Sequence, residues 1–185
     1  MKKIILFLLL ISSLFGEAKV YLGSNYGSYE ENFTNEIDAQ SSTQVIGIKA
    51  GYGVREAYAV EIDLEYIDTQ SKIFSSTPSS VSDGKKYGMN INFLKAFDFG
   101  IYILPYLKVG VGAGTMNIER TLQNRLYYGS YNVGSGIFIP LGDSYDLELG
   151  YNYKYTTYES IETIAEKIMY ESHVNIAYLG INVRF

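Results

Sequence analysis

Apolar and polar residues alternate along this chain, and residues 145–155 show the pattern without interruption. Every odd position of that stretch is tyrosine or leucine, and every even position is charged, polar or glycine. Because successive side chains of a strand point to opposite faces, the stretch is predicted to be a strand with one apolar and one polar face. Its length exceeds the roughly five or six residues of an ordinary globular strand and matches the roughly nine to eleven of a tilted transmembrane strand.

The same alternation recurs along the chain and predicts eight strands. They are residues 20–29, 44–52, 58–68, 87–94, 102–114, 127–139, 145–155 and 173–185. The connections alternate between short and long, which is typical of tight periplasmic turns and long outside loops. We therefore predict an all-β fold, an eight-stranded antiparallel up-and-down transmembrane β-barrel. The even number of strands puts both termini in the periplasm and leaves four extracellular loops.

The polar faces of these strands carry charges of both signs among many glycines. A strand exposed to water gains little from glycine, whereas a barrel of eight strands leaves just enough interior room for side chains. Unpaired charges would be costly in such an interior, so we predict that acids and bases pair there. The predicted interior charge network is Lys49, Glu61, Asp63, Glu65, Lys108, Asp146, Glu148, Lys154 and Arg184.

Aromatic residues gather at both ends of the apolar faces. Tyrosine prefers the boundary between membrane and water, where its ring is buried and its hydroxyl stays hydrated. This distribution predicts two aromatic girdles, as in outer-membrane barrels, and a soluble barrel with an apolar interior would not sort its aromatics by end. The girdle residues are Tyr52, Tyr58, Tyr145 and Phe185 at one end and Tyr66, Tyr127, Tyr153 and Tyr155 at the other.

The first residues form a secretory signal peptide by their pattern. Lys2 and Lys3 precede a short apolar run, and small residues at Gly16 and Ala18 predict cleavage after Ala18. The run is shorter than a membrane-spanning helix, which needs roughly 18 residues. We predict two parts, a signal peptide at 1–18 and the outer-membrane barrel at 19–185. The chain has no cysteine, so disulfides play no part.

The last strand resembles the C-terminal assembly signal of bacterial outer-membrane barrels. Leu179, Ile181, Val183 and Phe185 alternate back from a terminal aromatic residue. Residues 105–112, with Pro-Tyr and alternating glycines, are similar to a strand common in such barrels. The chain thus resembles the small OmpA/OmpX-type barrels of Gram-negative bacteria, without the peptidoglycan-binding domain. The resemblance implies an outer-membrane location, contact with lipid and lipopolysaccharide, and recognition by the barrel-assembly machinery.

Candidate chemistry is sparse. The only histidine is His173, and its neighbour Ser172 would point to the opposite face of the strand, so a catalytic serine must come from another strand. The acidic ladder of Glu61, Asp63 and Glu65 could hold a cation, but pairing with interior lysines is the favoured interpretation. We predict no catalytic, cofactor-binding or metal-binding residues and no cofactor. The net charge of -5 indicates no binding to nucleic acid.

These observations predict a structural or surface-interaction role for a barrel filled with polar side chains. A small channel for ions or apolar solutes is the alternative, and a barrel enzyme that modifies lipid A is a third hypothesis. The acidic pair Glu30 and Glu31 and the run from Glu159 to Glu166 are predicted to lie in outside loops. Residues 160–169 are predicted to form a short amphipathic helical turn. The partner of the loops is not predicted.

Overall fold

The computed structural model describes residues 18–34, 40–69, 84–118, 125–162, 167–168 and 170–185. The predicted signal peptide lies outside the described residues, apart from Ala18. Among the described residues, there is no helix with the length and apolar character that membrane crossing requires.

Ten strands are present in the described part of the chain, and eight of them close into one barrel. Each barrel strand pairs antiparallel with its neighbours in sequence, and β1 closes the barrel by pairing with β10. The predicted eight-stranded up-and-down barrel is therefore confirmed. The strands are β1 (Lys19–Phe33), β2 (Gln40–Gly53), β3 (Tyr58–Asp68), β4 (Lys85–Ala96), β5 (Leu104–Asn117), β6 (Arg125–Pro140), β7 (Tyr145–Tyr158), β8 (Ile161–Glu162), β9 (Lys167–Ile168) and β10 (Glu171–Arg184).

The side chains sort by face as the alternation predicts. In β3, Glu61 and Asp63 are buried in the barrel while Val60 and Ile62 are about half exposed on its outer surface. The barrel is thus inverted relative to a soluble protein, with charges inside and an apolar exterior. The bounds of β3 match the predicted strand because its apolar alternation runs along its whole length.

Strands β1 and β2 extend beyond their predicted ends. We predicted a long connection over residues 30–43, but β1 runs to Phe33 and β2 begins at Gln40. The pairing of β1 with β10 continues to Phe33 opposite Ser172. The outward residues of this extension are polar, so the apolar alternation stops before the backbone pairing does. The prediction that Glu30 and Glu31 lie in a loop was therefore wrong, because both are residues of β1 and Glu31 is buried.

The helical turn predicted over residues 160–169 was also wrong in the part that the structure describes. β8 and β9 pair antiparallel there, with Ile161 opposite Ile168. Residues 163–166 lie outside the described residues. Helical spacing of isoleucines in so short a segment does not exclude a strand pair, since apolar runs of this length are ambiguous.

The two ends of the barrel differ. At the near end, where β1 begins and β10 ends, the connections between strands are residues 54–57, 97–103 and 141–144. Gly100 and Gly142 have φ of 70° and 82°, a left-handed conformation that favours glycine. At the far end, the strands are joined by residues 34–39, 69–84, 118–124 and 159–170.

Interior glycines make room for large side chains. Alanine is therefore expected to destabilise the barrel more at Gly136, an inward position of β6, than at Gly129, an outward position of the same strand. A Cβ at Gly136 would lie 2.3 Å from the backbone oxygen of Leu149 and 2.5 Å from the Tyr106 hydroxyl, whereas one at Gly129 would have open space. Gly136→Ala is expected to lower the free energy of unfolding by about 1–3 kcal/mol through overpacking. Gly129→Ala should change it by less than about 0.5 kcal/mol. Urea unfolding in liposomes measures both, and equal stabilities of the two variants would contradict the filled interior.

Candidate functional site

All nine charged residues of the predicted network lie inside the barrel and are buried. They come from five strands, β2, β3, β5, β7 and β10, which face one another across the lumen. The structure brings most of them into two groups along the barrel, one around Glu148 near the middle and one around Asp146 at the near end.

Glu148 on β7 is the centre of the middle group and is fully buried. Lys49 Nζ donates to its Oε2, and Asn182 Nδ2 donates to the same oxygen at 3.0 Å. The hydroxyls of Tyr106 and Tyr178 donate to Oε1 at 2.7 Å and 3.0 Å. Four donors thus satisfy both oxygens of one buried carboxylate. Three strands besides β7 are tied to this residue.

The three acids of β3, Glu61, Asp63 and Glu65, are not equally neutralised by nearby lysines. Glu61 Oε2 lies 3.5 Å from Lys49 Nζ, and its Oε1 lies 3.9 Å from Lys108 Nζ. Glu65 accepts from Lys154 Nζ at 2.5 Å. Among the described residues, Asp63 forms no ion pair and its buried Oδ1 has no hydrogen-bond partner.

An arginine clamp closes the near end. Arg184 Nε lies 2.5 Å from Asp146 Oδ2, and Arg55 Nε lies 2.9 Å from Asp146 Oδ1. Arg55 also donates to the backbone oxygens of Gly142 and Asp143, at 3.1 Å and 3.0 Å. Arg55 could not be predicted from alternation because it lies in the 54–57 connection, where no strand pattern gives the direction of a side chain.

A layer of buried apolar and aromatic side chains also lies at the near end. The rings of Tyr106 and Phe138 stack within it at a centroid distance of 4.5 Å. The near-end plug consists of the clamp and this layer, whose buried residues are Tyr21, Ala59, Leu94, Ala96, Leu104, Tyr106 and Phe138.

The far end holds an ion pair that the sequence analysis did not predict. Lys86 Nζ donates to Glu31 Oε2 and, at 2.6 Å, to the Tyr158 hydroxyl. Glu31 Oε1 accepts from Tyr158 and from Ser172 Oγ, at 2.5 Å and 2.7 Å. Both charges are buried. The far-end plug consists of this pair and an apolar cluster of Phe33, Met116, Ile118, Leu126, Tyr158 and Tyr170.

The interior charges of the described residues balance. The acids and bases are six each, which follows when Glu31, Lys86 and Arg55 are added to the predicted five acids and four bases. Formal neutrality of this kind lowers the cost of burying charges in a narrow lumen. The lumen is thus filled by paired charges and by three buried apolar clusters, the two at its ends and a third that includes Val45, Ile67 and Ile176.

His173 and Ser172 lie on opposite faces of β10, as predicted. Ser172 points inward to Glu31, whereas His173 lies on the outer face between Tyr153 and Tyr155. The hydroxyl of Tyr153 is 2.6 Å from His173 Nδ1. No described serine is hydrogen-bonded to this imidazole. No group of acidic or histidine residues with metal-ligand geometry occurs among the described residues.

The outer face is apolar in the middle and aromatic at its ends. Leu179, Ile181 and Phe185 of the predicted assembly signal are exposed on it, and Val183 is half-buried. The eight predicted girdle residues all have outward positions. Those at the near end are about half exposed or more, and at the far end Tyr127 is exposed while Tyr66, Tyr153 and Tyr155 are half-buried.

A family model described as "Outer membrane protein beta-barrel domain" matches residues 6–185. The chain belongs to this family. The family resemblance drawn from the sequence is therefore confirmed, and this outer-membrane barrel is located in the outer membrane of a Gram-negative bacterium.

Solved structures share the barrel fold at low identity. Neisserial surface protein A is 16% identical with a TM-score of 0.66, covering 91% of this chain and 99% of that one. Ail, the attachment invasion locus protein of Yersinia pestis, is 15% identical with a TM-score of 0.58, covering 91% and 99%. The N-terminal barrel domain of Pseudomonas aeruginosa OprF is 12% identical with a TM-score of 0.53, covering 88% and 97%. No curated protein matches the chain.

Proposed function

We propose that this outer-membrane barrel is a closed structural element that displays four loops on the cell surface for interaction with a partner. The main support for the proposal is that the lumen is filled by paired charges and closed by a plug at each end. A barrel of eight strands has little interior space beyond what side chains fill. Contacts with a partner are then made by the loops and by the far end of the barrel, and not by the lumen.

The proposed orientation has the near end, and so both termini, in the periplasm. Tight turns on the periplasmic side and longer loops outside are the rule for outer-membrane barrels. The near-end connections 54–57 and 141–144 are tight, and β1, β2 and β10 carry polar outward residues at the far end. On this view the far ends of these strands rise above the bilayer.

The far-end rim has an excess of acids among its described residues. Glu30, Glu159, Glu171 and Asp68 are accompanied there by Lys85 and Arg125. Such a rim favours a cationic partner, or divalent cations that bridge it to the phosphates of lipopolysaccharide. The related Ail structure was solved with the heparin analogue sucrose octasulfate, a polyanion, and the acidic rim of this chain favours the opposite charge. Another cell surface with basic groups would fit the same rim.

Biogenesis involves the barrel-assembly machinery in this proposal. The outward residues of β10 named above as the assembly signal support it, as does the apolar outer face, which needs protection from water during transit. The proposal also retains processing after Ala18.

Surface display can be tested directly because the chain has no cysteine. Glu159→Cys at the far end is expected to react with a membrane-impermeant maleimide on intact cells. Asp143→Cys, in the tight connection 141–144, should react only after the outer membrane is disrupted. Both positions are exposed, so they form a matched pair. The reverse labelling pattern would contradict the proposed orientation.

A channel is the second candidate, and one observation favours it. Among the described residues, both amide atoms of buried Asn132 and Oδ1 of buried Asn152 have no hydrogen-bond partner, so a polar region lies between the two plugs. Passage of an ion along it requires both plugs to open.

We expect the folded protein to give no discrete conductance steps in planar bilayers, because both plugs are closed. A variant that removes ring volume from both plugs, with Tyr21→Ala and Tyr106→Ala at the near end and Phe33→Ala and Tyr158→Ala at the far end, serves as the control for detection. Reproducible steps from the unmodified protein would support the channel instead, and Lys108→Ala or Lys154→Ala should then alter them.

We propose no catalytic role. The bond between His173 and Tyr153 on the outer face supports this assignment. Lipid A deacylation that disappears in His173→Ala would overturn it.

A further inference from the structure

The connection of residues 97–103, between β4 and β5, is unlike the other two at the near end. Its sequence is largely aromatic and aliphatic, whereas the other two carry Arg55, Glu56 and Asp143. Phe99 is 67% exposed and Tyr102 is 68% exposed, with Ile101 at 55%. Side chains of this size are stabilised by removal from water, so a partner for this surface is expected.

The aromatic residues of this connection are directed toward the lipid side of the barrel wall. Phe97 and Phe99 stack with a centroid distance of 6.3 Å. They line a groove of about 500 Å³ together with Pro105, Leu107 and Ile137. Leu107 and Ile137 have outward positions in β5 and β6 and belong to the lipid-facing band. The connection therefore continues the lipid-facing surface and does not cover the lumen.

The positively charged side chain of Lys95 lies at the edge of this surface. Lys95 is the outward residue that follows Phe93 on β4, and its Nζ lies 4.0 Å from the ring centroid of Tyr58 and 5.6 Å from that of Phe97. A lysine between aromatic rings at the end of an apolar band is suited to the interface, where its stem lies in apolar surroundings and its ammonium meets phosphate.

The backbone of the connection supports this placement. Asp98 Oδ1 accepts a hydrogen bond from the backbone N–H of Gly100 at 2.7 Å, and Gly100 has a φ of 70°. This local turn separates Phe99 from Ile101 and Tyr102 and leaves all three exposed.

We propose that residues 97–103 form a membrane anchor that binds phospholipid in the adjoining leaflet. An acyl chain occupies the groove beside Phe97 and Phe99, and Lys95 pairs with a headgroup phosphate. The occupant follows from continuity with the lipid-facing band and from the charge of Lys95. This anchor goes beyond the proposed role of the loops and does not depend on which end of the barrel faces the periplasm.

Because the chain has no tryptophan, single tryptophans report on this surface without background. Phe99→Trp and Tyr102→Trp would be compared with Glu56→Trp, which lies in a polar connection at the same end. Each variant is refolded into symmetric liposomes of phosphatidylcholine and phosphatidylglycerol, and heat-modifiable gel mobility confirms folding. Fluorescence is then quenched either by lipids brominated on the acyl chain or by aqueous acrylamide.

Brominated lipid is expected to lower the emission of Phe99→Trp by about two-fold, as for an interfacial aromatic, and to leave Glu56→Trp nearly unchanged. Acrylamide is expected to quench Glu56→Trp strongly and Phe99→Trp weakly. Lys95→Gln in the Phe99→Trp background should reduce the quenching by brominated phosphatidylglycerol more than that by brominated phosphatidylcholine.

Equal acrylamide quenching at residues 99 and 56 would overturn the proposal. So would protection of Phe99→Trp from both quenchers that grows with the protein-to-lipid ratio, since this indicates a second copy. Tyr102→Trp provides the same test if Phe99→Trp does not fold.

Discussion

Glu148→Ala is expected to lower the free energy of unfolding by about 3–5 kcal/mol, the usual cost of removing one partner from a buried ion pair. In the described part of the chain, the substitution leaves Lys49 buried with Glu61 as its one acidic partner, 3.5 Å away. It also deprives the hydroxyls of Tyr106 and Tyr178 of their shared acceptor. The measurement is urea unfolding of the protein in liposomes.

Two further variants separate the charge of Glu148 from other effects. Glu159→Ala removes an exposed acid just beyond the same strand and should change stability by less than about 0.5 kcal/mol. Lys49→Met combined with Glu148→Gln should recover much of the loss, because a buried pair can be replaced by uncharged residues at small cost. Additive losses in that double variant would contradict the pairing.

Lys86→Met is expected to destabilise the far end by about 3–5 kcal/mol, since it leaves Glu31 charged and fully buried. The hydroxyls of Tyr29, Tyr158 and Ser172 remain as hydrogen-bond partners of Glu31, and none of them neutralises its charge. Urea unfolding measures the loss. Hydrogen exchange should show that β1 and β10 lose protection at their far ends first.

The neighbouring lysine gives a matched control. Lys85 is half-buried at the adjacent position of β4, so Lys85→Met changes the same charge without leaving a buried carboxylate unpaired. Glu31→Gln combined with Lys86→Met should recover most of the stability. If Lys85→Met and Lys86→Met have equal effects, the ion pair does not hold the far end together.

Strand bounds and side-chain directions are predicted most accurately from the sequence where one face of a strand stays apolar along its whole length. β3 keeps this pattern from Tyr58 to Asp68, so both its bounds and the direction of its acids follow from it. In β7, alternation places Glu148 and Lys154 inside the barrel, but it does not show that they pair with different strands. Those partners depend on the register between distant segments, which one sequence does not contain.

The far end could not be predicted for a related reason. Above the apolar band the outward residues of β1 are polar on a strand whose inward residues include Glu31, so both faces look like a loop. Glu31 is held inside by Lys86, which lies 55 residues later in the chain. Arg55 was missed because a residue in a tight connection has no strand face. Its inward direction is set by Asp146 and by the neighbouring connection at Gly142.

A spin-label scan of β6 would determine whether the apolar face of the barrel touches lipid while the polar face is enclosed. Ser130 and Asn132 point inward, whereas Tyr131 and Val133 point outward, and none of the four is charged. Single cysteines at these positions would carry a nitroxide in liposome-embedded protein. We predict high collision rates with oxygen and low rates with a water-soluble nickel chelate at 131 and 133, and low rates with both at 130 and 132. Greater access of the nickel chelate at 131 and 133 would show that this face meets water, and the barrel would then be a soluble one.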